Sequence, residues 1–124
     1  MKRIIWVIDE ENKSACGGEG ILPLLQGEKA KIILVGLLPT TKTEEEKERE
    51  VKIWHSLFSL MERLIKEGFS VSVSAERGTP FSLLNLMDTL DAQMLLLPKE
   101  KFLLLGPLEN DDFLNRLSCP LLLY

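Results

Sequence analysis

The sequence predicts a three-layer α/β/α sandwich built around one five-stranded parallel sheet. Five short apolar segments are candidate strands, and the first two are almost continuously apolar, which is typical of strands buried on both faces of a sheet. Each gap between these segments is longer than a dozen residues, the length that a crossover between parallel strands requires. The third segment alternates apolar and polar residues, so we place it at one edge and the first strand in the centre.

Length and composition indicate one globular domain covering residues 1–124. The chain is 45% hydrophobic and 27% charged, and its net charge of −4 argues against non-specific nucleic-acid binding. Its apolar runs are too short to cross a membrane. The basic start at Lys2 and Arg3 leads into an apolar run that is too short for a signal peptide. We therefore expect a cytoplasmic protein without a nucleic-acid or membrane partner.

The first predicted strand, Arg3–Asp9, ends on a carboxylate. Open parallel sheets place their binding crevice at the carboxyl ends of their strands, so Asp9 is a candidate binding residue; a solvated strand-end aspartate is the alternative. The following stretch, residues 10–29, is glycine-rich around Cys16–Gly20 and holds at most a stunted helix. That glycine-rich loop does not match a known phosphate-loop pattern, and a plain loop is the favoured interpretation.

The second strand, Ala30–Leu38, precedes the clearest helix, Thr43–Glu67. Thr43 and Glu46 have the spacing of a capping box, and Gly68 is a typical helix stop. Apolar residues recur at three- and four-residue steps, which predicts that one stripe of the helix packs against the sheet, with Ile53 and Leu60 beside it. The predicted stripe consists of Val51, Trp54, Leu57, Phe58, Met61, Leu64 and Ile65.

The remaining elements are shorter. The third strand, Phe69–Ala75, is followed by Thr79 as N-cap and Pro80 at the start of a helix that runs to about Leu90. Met94–Leu97 is the fourth strand, stopped by Pro98. Asn110 is the predicted cap of a last helix with Phe113, Leu114 and Leu117 facing inward. The fifth strand is Leu121–Tyr124.

The cysteines and the histidine could be reactive or bind a metal, but a structural role is the favoured interpretation of each. Cys16 and Cys119 lack metal-ligand spacing and are expected to be free thiols, the first in a loop and the second in packing. His55, the only histidine, is expected on a helix surface, and no nucleophile is placed to use it as a base. We expect no metal site. An acidic strand end is also found in phosphorelay receiver domains, but no aspartate ends the third strand here.

In its order of features the sequence resembles the universal stress protein family over nearly its whole length. The matching features are the opening strand with its terminal Asp9, Gly68 before the third strand, Gly78-Thr79-Pro80, and Ser118-Cys119-Pro120 before an apolar strand. The resemblance implies a Rossmann-like fold of the adenine-nucleotide alpha-hydrolase type with strand order 3-2-1-4-5. It also implies a homodimer through Leu121–Tyr124.

The segment after the fourth strand departs from this family. Members that bind ATP carry Gly-x-x-Gly and then Gly-Ser or Gly-Thr there, which bring backbone N–H groups close to phosphate. Pro98 stands at the first glycine position and has no N–H, the second glycine is absent, and the distance to Gly106 is too short. The family's first helix is also mostly missing. We expect the fold to survive and the triphosphate site to be lost.

Two functions remain from the sequence. The first is a non-enzymatic, homodimeric stress-associated or regulatory module that has no cofactor. The second is a nucleotide-binding protein that takes ATP or AMP through a rearranged loop. Its site residues, as the resemblance implies them, are Asp9, the backbone around Val35 and Gly36, and Gly106. An enzyme related to the adenine-nucleotide hydrolases is a third class, and no phosphate loop after the first strand supports it.

Overall fold

The computed structural model describes residues 2–8 and 30–124, and these form one parallel sheet covered by helices. The strands are β1 (Lys2–Val7), β2 (Ala30–Leu38), β3 (Ser70–Arg77), β4 (Met94–Leu97) and β5 (Leu121–Leu123), and the helices are α1 (Glu44–Lys66), α2 (Leu83–Leu90), α3 (Lys99–Leu103) and α4 (Pro107–Arg116). The strand order is β3-β2-β1-β4-β5, as predicted, with β1 in the centre. All four neighbouring strand pairs are parallel.

The two faces of the sheet bury separate apolar clusters, because successive side chains along a strand point to opposite faces. On β1, Ile4 and Trp6 belong to the cluster that α1 covers, whereas Ile5 and Val7 belong to the cluster that includes residues of α2 and α4. Trp6 is fully buried. The near-continuous apolar character of β1 and β2 therefore reflects burial on both faces, as the sequence predicts.

Helix α1 begins as predicted, and its buried face includes Leu57 and Leu64 of the predicted stripe but is centred on one side of that stripe. The Thr43 hydroxyl accepts a hydrogen bond from the Glu46 N–H at 3.2 Å. The helix buries Ile53, Leu57, Leu60 and Leu64, while Val51, Phe58 and Ile65 are exposed by 68%, 47% and 51%. Two adjacent apolar stripes run along α1, and the prediction took its centre from the wrong one.

A close approach between β2 and α1 fixes one glycine. A Cβ atom at Gly36 would lie 2.5 Å from Cγ2 of Ile53 and 3.1 Å from Cδ1 of Leu57. The first distance is far inside van der Waals contact, so α1 packs closely against the sheet at Gly36.

The last helix begins earlier than the sequence prediction. Gly106, at φ 84°, is the N-cap and Pro107 occupies the first turn of α4, so Asn110 is inside the helix rather than its cap. Proline is favoured at this first helical position because its missing N–H would be unpaired there anyway. Phe113 is buried as predicted, but Leu114 is 46% exposed.

Tyr124 connects the fifth strand to the first. Its hydroxyl donates to the carbonyl of Val7 and accepts from the Trp6 indole N–H at 3.1 Å. The Leu95 N–H donates to the Pro120 carbonyl, on the β5 side of β4. Because backbone N–H groups alternate in direction along a strand, an N–H at position 98 would point to the β1 side and meet the Val7 carbonyl. Position 98 is proline and has no N–H, and the Tyr124 hydroxyl serves the Val7 carbonyl in its place.

Candidate functional site

A cavity of about 330 Å³ opens at the carboxyl ends of β2 and β3. Three segments form it: the residues that follow β2, the turn between β3 and α2, and the α3 segment with the residues after it. Helix α1 adds two charged side chains. The lining residues are Leu37, Leu38, Pro39, Thr40, Thr41, Glu46, Arg49, Gly78, Thr79, Pro80, Lys101, Leu104 and Leu105.

The charges in this cavity come from Glu46, Arg49 and Lys101. Arg49 Nη1 donates to Glu46 Oε1 at 3.4 Å, an i,i+3 ion pair that is partly open to solvent. The second carboxylate oxygen, Oε2, is shielded from solvent and has no hydrogen-bond partner among the described residues. Among the described residues that line the cavity, two are cations and one is a carboxylate, a balance that suits an anionic ligand.

Arg77 fixes the two strand ends that border the cavity. Its Nη1 donates to the Pro39 carbonyl at 3.0 Å, and its Nη2 donates to Glu50 Oε1 at 2.7 Å. The Gly78 N–H also donates to the Leu38 carbonyl at 3.1 Å. These bonds connect the end of β3 to the end of β2 and to α1. The backbone at this border of the cavity is therefore fixed by hydrogen bonds.

The segment that departs from the family pattern forms part of the cavity wall. Residues 99–103 form α3, after Pro98 in extended conformation, and Lys101, Leu104 and Leu105 border the cavity. A short helix, followed by two leucines, stands where a glycine-rich loop would expose its backbone N–H groups. The segment lines the cavity without filling it.

Three of the site residues implied by the sequence, Val35, Gly36 and Gly106, are neighbours in the chain of residues that line the cavity and do not line it themselves. Val35 is buried, and its carbonyl accepts from the Ile8 N–H at 3.0 Å. Val35 and Gly36 directly precede Leu37, and Gly106 directly follows Leu105. Asp9 and the loop with Cys16 lie outside the described residues.

Sequence reasoning missed Arg49 and Lys101, the cationic residues of the cavity. Arg49 lies in a charge run that is most simply interpreted as a solvated helix start, and Lys101 lies in a segment noted chiefly for its missing glycines. The signal that could have found them is topological. Arg49 is on the helix that follows β2 and Lys101 is on the helix that follows β4, and both strands end at the carboxyl edge of the parallel sheet.

The other single candidates carry little chemistry in this structure. Burial, and to a lesser extent the negative charge of Asp88, raises the pKa of the Cys119 thiol, so its reactive thiolate form is disfavoured at neutral pH. His55 is exposed on α1, as predicted. In residues 2–8 and 30–124 no group of three or more histidine, cysteine, aspartate or glutamate residues is placed to hold a metal ion. No helix within the same ranges is long and apolar enough to cross a membrane.

Sequence comparisons identify no relative of this chain. No family model matches it, and neither does any curated protein. Comparison of the backbone with solved structures, in contrast, finds similar chains over almost the full length. A universal stress protein family member from Burkholderia pseudomallei superimposes with a TM-score of 0.73 at 13% identity, over 99% of this chain and 95% of that one. The chain has the universal stress protein fold.

Two further structures with the universal stress protein fold contain nucleotides. A universal stress protein in complex with cAMP has a TM-score of 0.65 at 16% identity, over 99% of this chain and 96% of that one. The Archaeoglobus fulgidus universal stress protein in complex with dAMP has a TM-score of 0.61 at 13% identity, over 99% of this chain and 97% of that one. The superpositions establish a common fold, which the sequence resemblance predicted, and at identities this low they establish the fold alone.

Proposed function

We propose that this protein is a non-enzymatic, universal-stress-protein-like binding module whose cavity takes an adenine nucleotide with a single phosphate. The observation that carries the proposal is the cavity at the carboxyl ends of β2 and β3, with apolar walls and the cations Arg49 and Lys101. Apolar walls suit a base, and fixed cations suit a phosphate. This is the second of the two functions considered from the sequence, restricted to monophosphates.

Three observations support a monophosphate over ATP. The volume of about 330 Å³ is near the lower limit of ligand pockets, roughly 300–1,000 Å³. Helix α3 replaces the glycine-rich loop that would hold a triphosphate. The nucleotides in the two similar structures, cAMP and dAMP, each carry one phosphate.

The unpartnered oxygen of Glu46 supports adenosine as the remaining part of the ligand. Oε2 of Glu46 is an acceptor in the cavity wall, and the amino and hydroxyl groups of adenosine are donors. In this proposal Asp9, which follows Ile8 in the sequence, holds the ribose. The backbone near Val35 and Gly36 faces the base, and Gly106 lies at the phosphate end.

Replacing Lys101 with alanine is expected to weaken AMP binding at least tenfold. A charge-assisted hydrogen bond to phosphate contributes about 1.5–3 kcal/mol, and about 1.4 kcal/mol is a tenfold change in Kd. Titration calorimetry with AMP and ATP measures the effect. Lys99→Ala is the matched control, because Lys99 lies on the same helix and does not line the cavity.

The outcomes separate the two functions. Tighter binding of AMP than of ATP, lost in Lys101→Ala and retained in Lys99→Ala, supports the proposed ligand. No heat and no thermal shift with millimolar AMP would leave the module without a nucleotide, which is the first function considered from the sequence. Unchanged AMP binding in Lys101→Ala would show that the phosphate binds elsewhere, and an equal loss in the two variants would show that the effect is not specific to the cavity.

We also propose that two copies pair through β5. In the described part of the chain β5 pairs only with β4, and Leu122 and Leu123 are 40% and 36% exposed, so an apolar strand edge is open. The Pro120 carbonyl and the Tyr124 N–H point to β4, so alternation directs the Leu123 N–H to the open edge.

Leu123→Pro is therefore expected to abolish this pairing while Leu123→Ala retains it. Proline removes the outward N–H that a second β5 strand would use, and alanine shortens the side chain but keeps that donor. Sedimentation equilibrium measures the mass of each variant at micromolar concentration. Identical masses for the two variants would contradict pairing through this edge.

A further inference from the structure

A second cavity, of about 210 Å³, lies between the β1-β2-β3 part of the sheet and α2. We name it the amino-end pocket, because Arg3 and Lys31 stand near the amino ends of β1 and β2. Lys31 is six positions before Leu37 of the cavity in the proposed nucleotide site, which is about 20 Å along a strand. The two cavities are therefore separate. The residues that define the amino-end pocket are Arg3, Lys31, Ser72, Ser74, Leu86 and Leu90.

Two serines of β3 supply hydroxyl groups to this pocket. Val73 packs in the cluster that α1 covers, so the alternation of the strand turns Ser72 and Ser74 to the opposite face, which α2 covers. In the sheet register they are next to Ile33 and Val35, which belong to the apolar cluster of that face. Both serines are half-buried, and neither hydroxyl has a hydrogen-bond partner among the described residues. Two hydroxyl donors are thus available where the neighbouring strand buries aliphatic side chains.

Arg3 and Lys31 bring two positive charges to the same pocket. They are register partners on β1 and β2, so their Cα atoms are about 4.8 Å apart and their side chains leave the same face of the sheet. Arg3 Nη1 donates to the Leu90 carbonyl at 2.9 Å, which holds the guanidinium at the end of α2. Neither side chain forms an ion pair with another described residue, and no carboxylate is among the described residues that line the pocket. Adjacent like charges are destabilising, and a bound anion would offset their repulsion.

We propose that the amino-end pocket binds a phosphate group, either as the free ion or as the monoester of a small molecule. A guanidinium presents paired N–H donors to phosphate oxygens, an ammonium adds a compact positive charge, and serine hydroxyls donate to further oxygens. The charges also match, because a phosphate monoester carries about −1.5 to −2 at pH 7 and the pocket supplies two cations. Leu86 and Leu90 give the pocket an apolar wall, which strengthens the attraction between these charges.

The size of the pocket and the number of its donors select this ligand. Its volume of about 210 Å³ is below the roughly 300–1,000 Å³ of pockets that take drug-sized ligands, which favours a small anion over a nucleotide. A carboxylate offers two oxygens in one plane and a single charge, so it would leave donors of this pocket unused. A phosphate group offers at least three oxygens in a tetrahedral arrangement, which suits two cations and two hydroxyls.

The experiment is an NMR titration of the full chain with inorganic phosphate at constant ionic strength. It uses a Lys101→Ala background, so that the proposed nucleotide site does not contribute. The backbone amide signals of Ser72 and Ser74 are expected to shift, and Lys31→Met is expected to raise the dissociation constant at least about tenfold, because a charge-assisted hydrogen bond is lost. Methionine keeps a long apolar side chain at this half-buried position. Lys52→Met is the matched control, because Lys52 is exposed on α1, on the other face of the sheet.

Thermal unfolding separates a binding role of Lys31 from a structural one. Without phosphate, Lys31→Met is expected to melt at or above the temperature of the parent, since one of two adjacent like charges is removed, and phosphate is expected to stabilise the parent more than the variant. Methyl phosphate distinguishes the sources: tighter binding than inorganic phosphate indicates a small phosphomonoester, and weaker binding indicates the free ion. Unshifted signals of Ser72 and Ser74, acetate binding as tight as phosphate binding, or equal losses in Lys31→Met and Lys52→Met would overturn the proposal.

Discussion

Tyr124→Phe is expected to lower the free energy of unfolding by about 2–4 kcal/mol, a large effect for the removal of one oxygen atom. The Tyr124 hydroxyl is the hydrogen-bond partner of both the Trp6 indole N–H and the Val7 carbonyl. Each buried polar group left without a partner costs about 1–3 kcal/mol. Pro98 cannot replace the lost donor, because it has no N–H.

Chemical denaturation followed by circular dichroism measures this loss. Phenylalanine keeps the edge-to-face ring contact with Trp6, whose centroid lies 6.4 Å away, so the measurement isolates the hydroxyl. Ser59→Ala is the control, because it removes a hydroxyl from an exposed position of α1 and should change stability by less than about 0.5 kcal/mol. A Tyr124→Phe effect as small as that of the control would show that the two bonds contribute nothing net.

Gly36→Ala is expected to destabilise the protein by about 1–3 kcal/mol, because the added methyl group overpacks the contact between β2 and α1. The new Cβ would lie 2.5 Å from Cγ2 of Ile53. The φ of Gly36 is not among the positive values of the described glycines, so the cost comes from space rather than from backbone strain.

A double-mutant cycle tests that cause. Ile53→Ala removes the clashing Cγ2 and by itself leaves a cavity that costs about 2–5 kcal/mol. In the double variant the methyl group at position 36 enters that cavity, so the combined loss should be smaller than the sum of the single losses by about 1 kcal/mol or more. Additive losses would mean that Gly36 is required for a reason other than its distance from Ile53.

The sheet could be predicted from the sequence because a strand buried on both faces is almost continuously apolar, whereas an edge strand alternates apolar and polar residues. The apolar runs at Ile4–Ile8 and Ala30–Leu38 and the alternation at Phe69–Ala75 were sufficient to put β1 in the centre and β3 at an edge. The phase of α1 could not be predicted in the same way. Its two apolar stripes have the same period, and only the position of the sheet decides which of them is buried.

The start of α4 was predicted wrongly although the sequence contains the signal. Asn110 precedes two aspartates and resembles a cap, but Gly106 and Pro107 are the stronger pair. The candidate site could be predicted only as an edge of the sheet. Arg49 and Lys101 are 52 positions apart and approach the same cavity through α1 and α3, so their meeting depends on tertiary structure.

The contact of Tyr124 with Val7 joins groups 117 positions apart, which has a consequence for the order of folding. While the protein is being synthesised, β1 emerges from the ribosome first, and its carboxyl end lacks this donor until residue 124 has also emerged. The central strand is thus made before the other four strands of the sheet and completed after them. Contacts of such long range make folding slow, since the entropy of closing the intervening loop is lost before the contact forms.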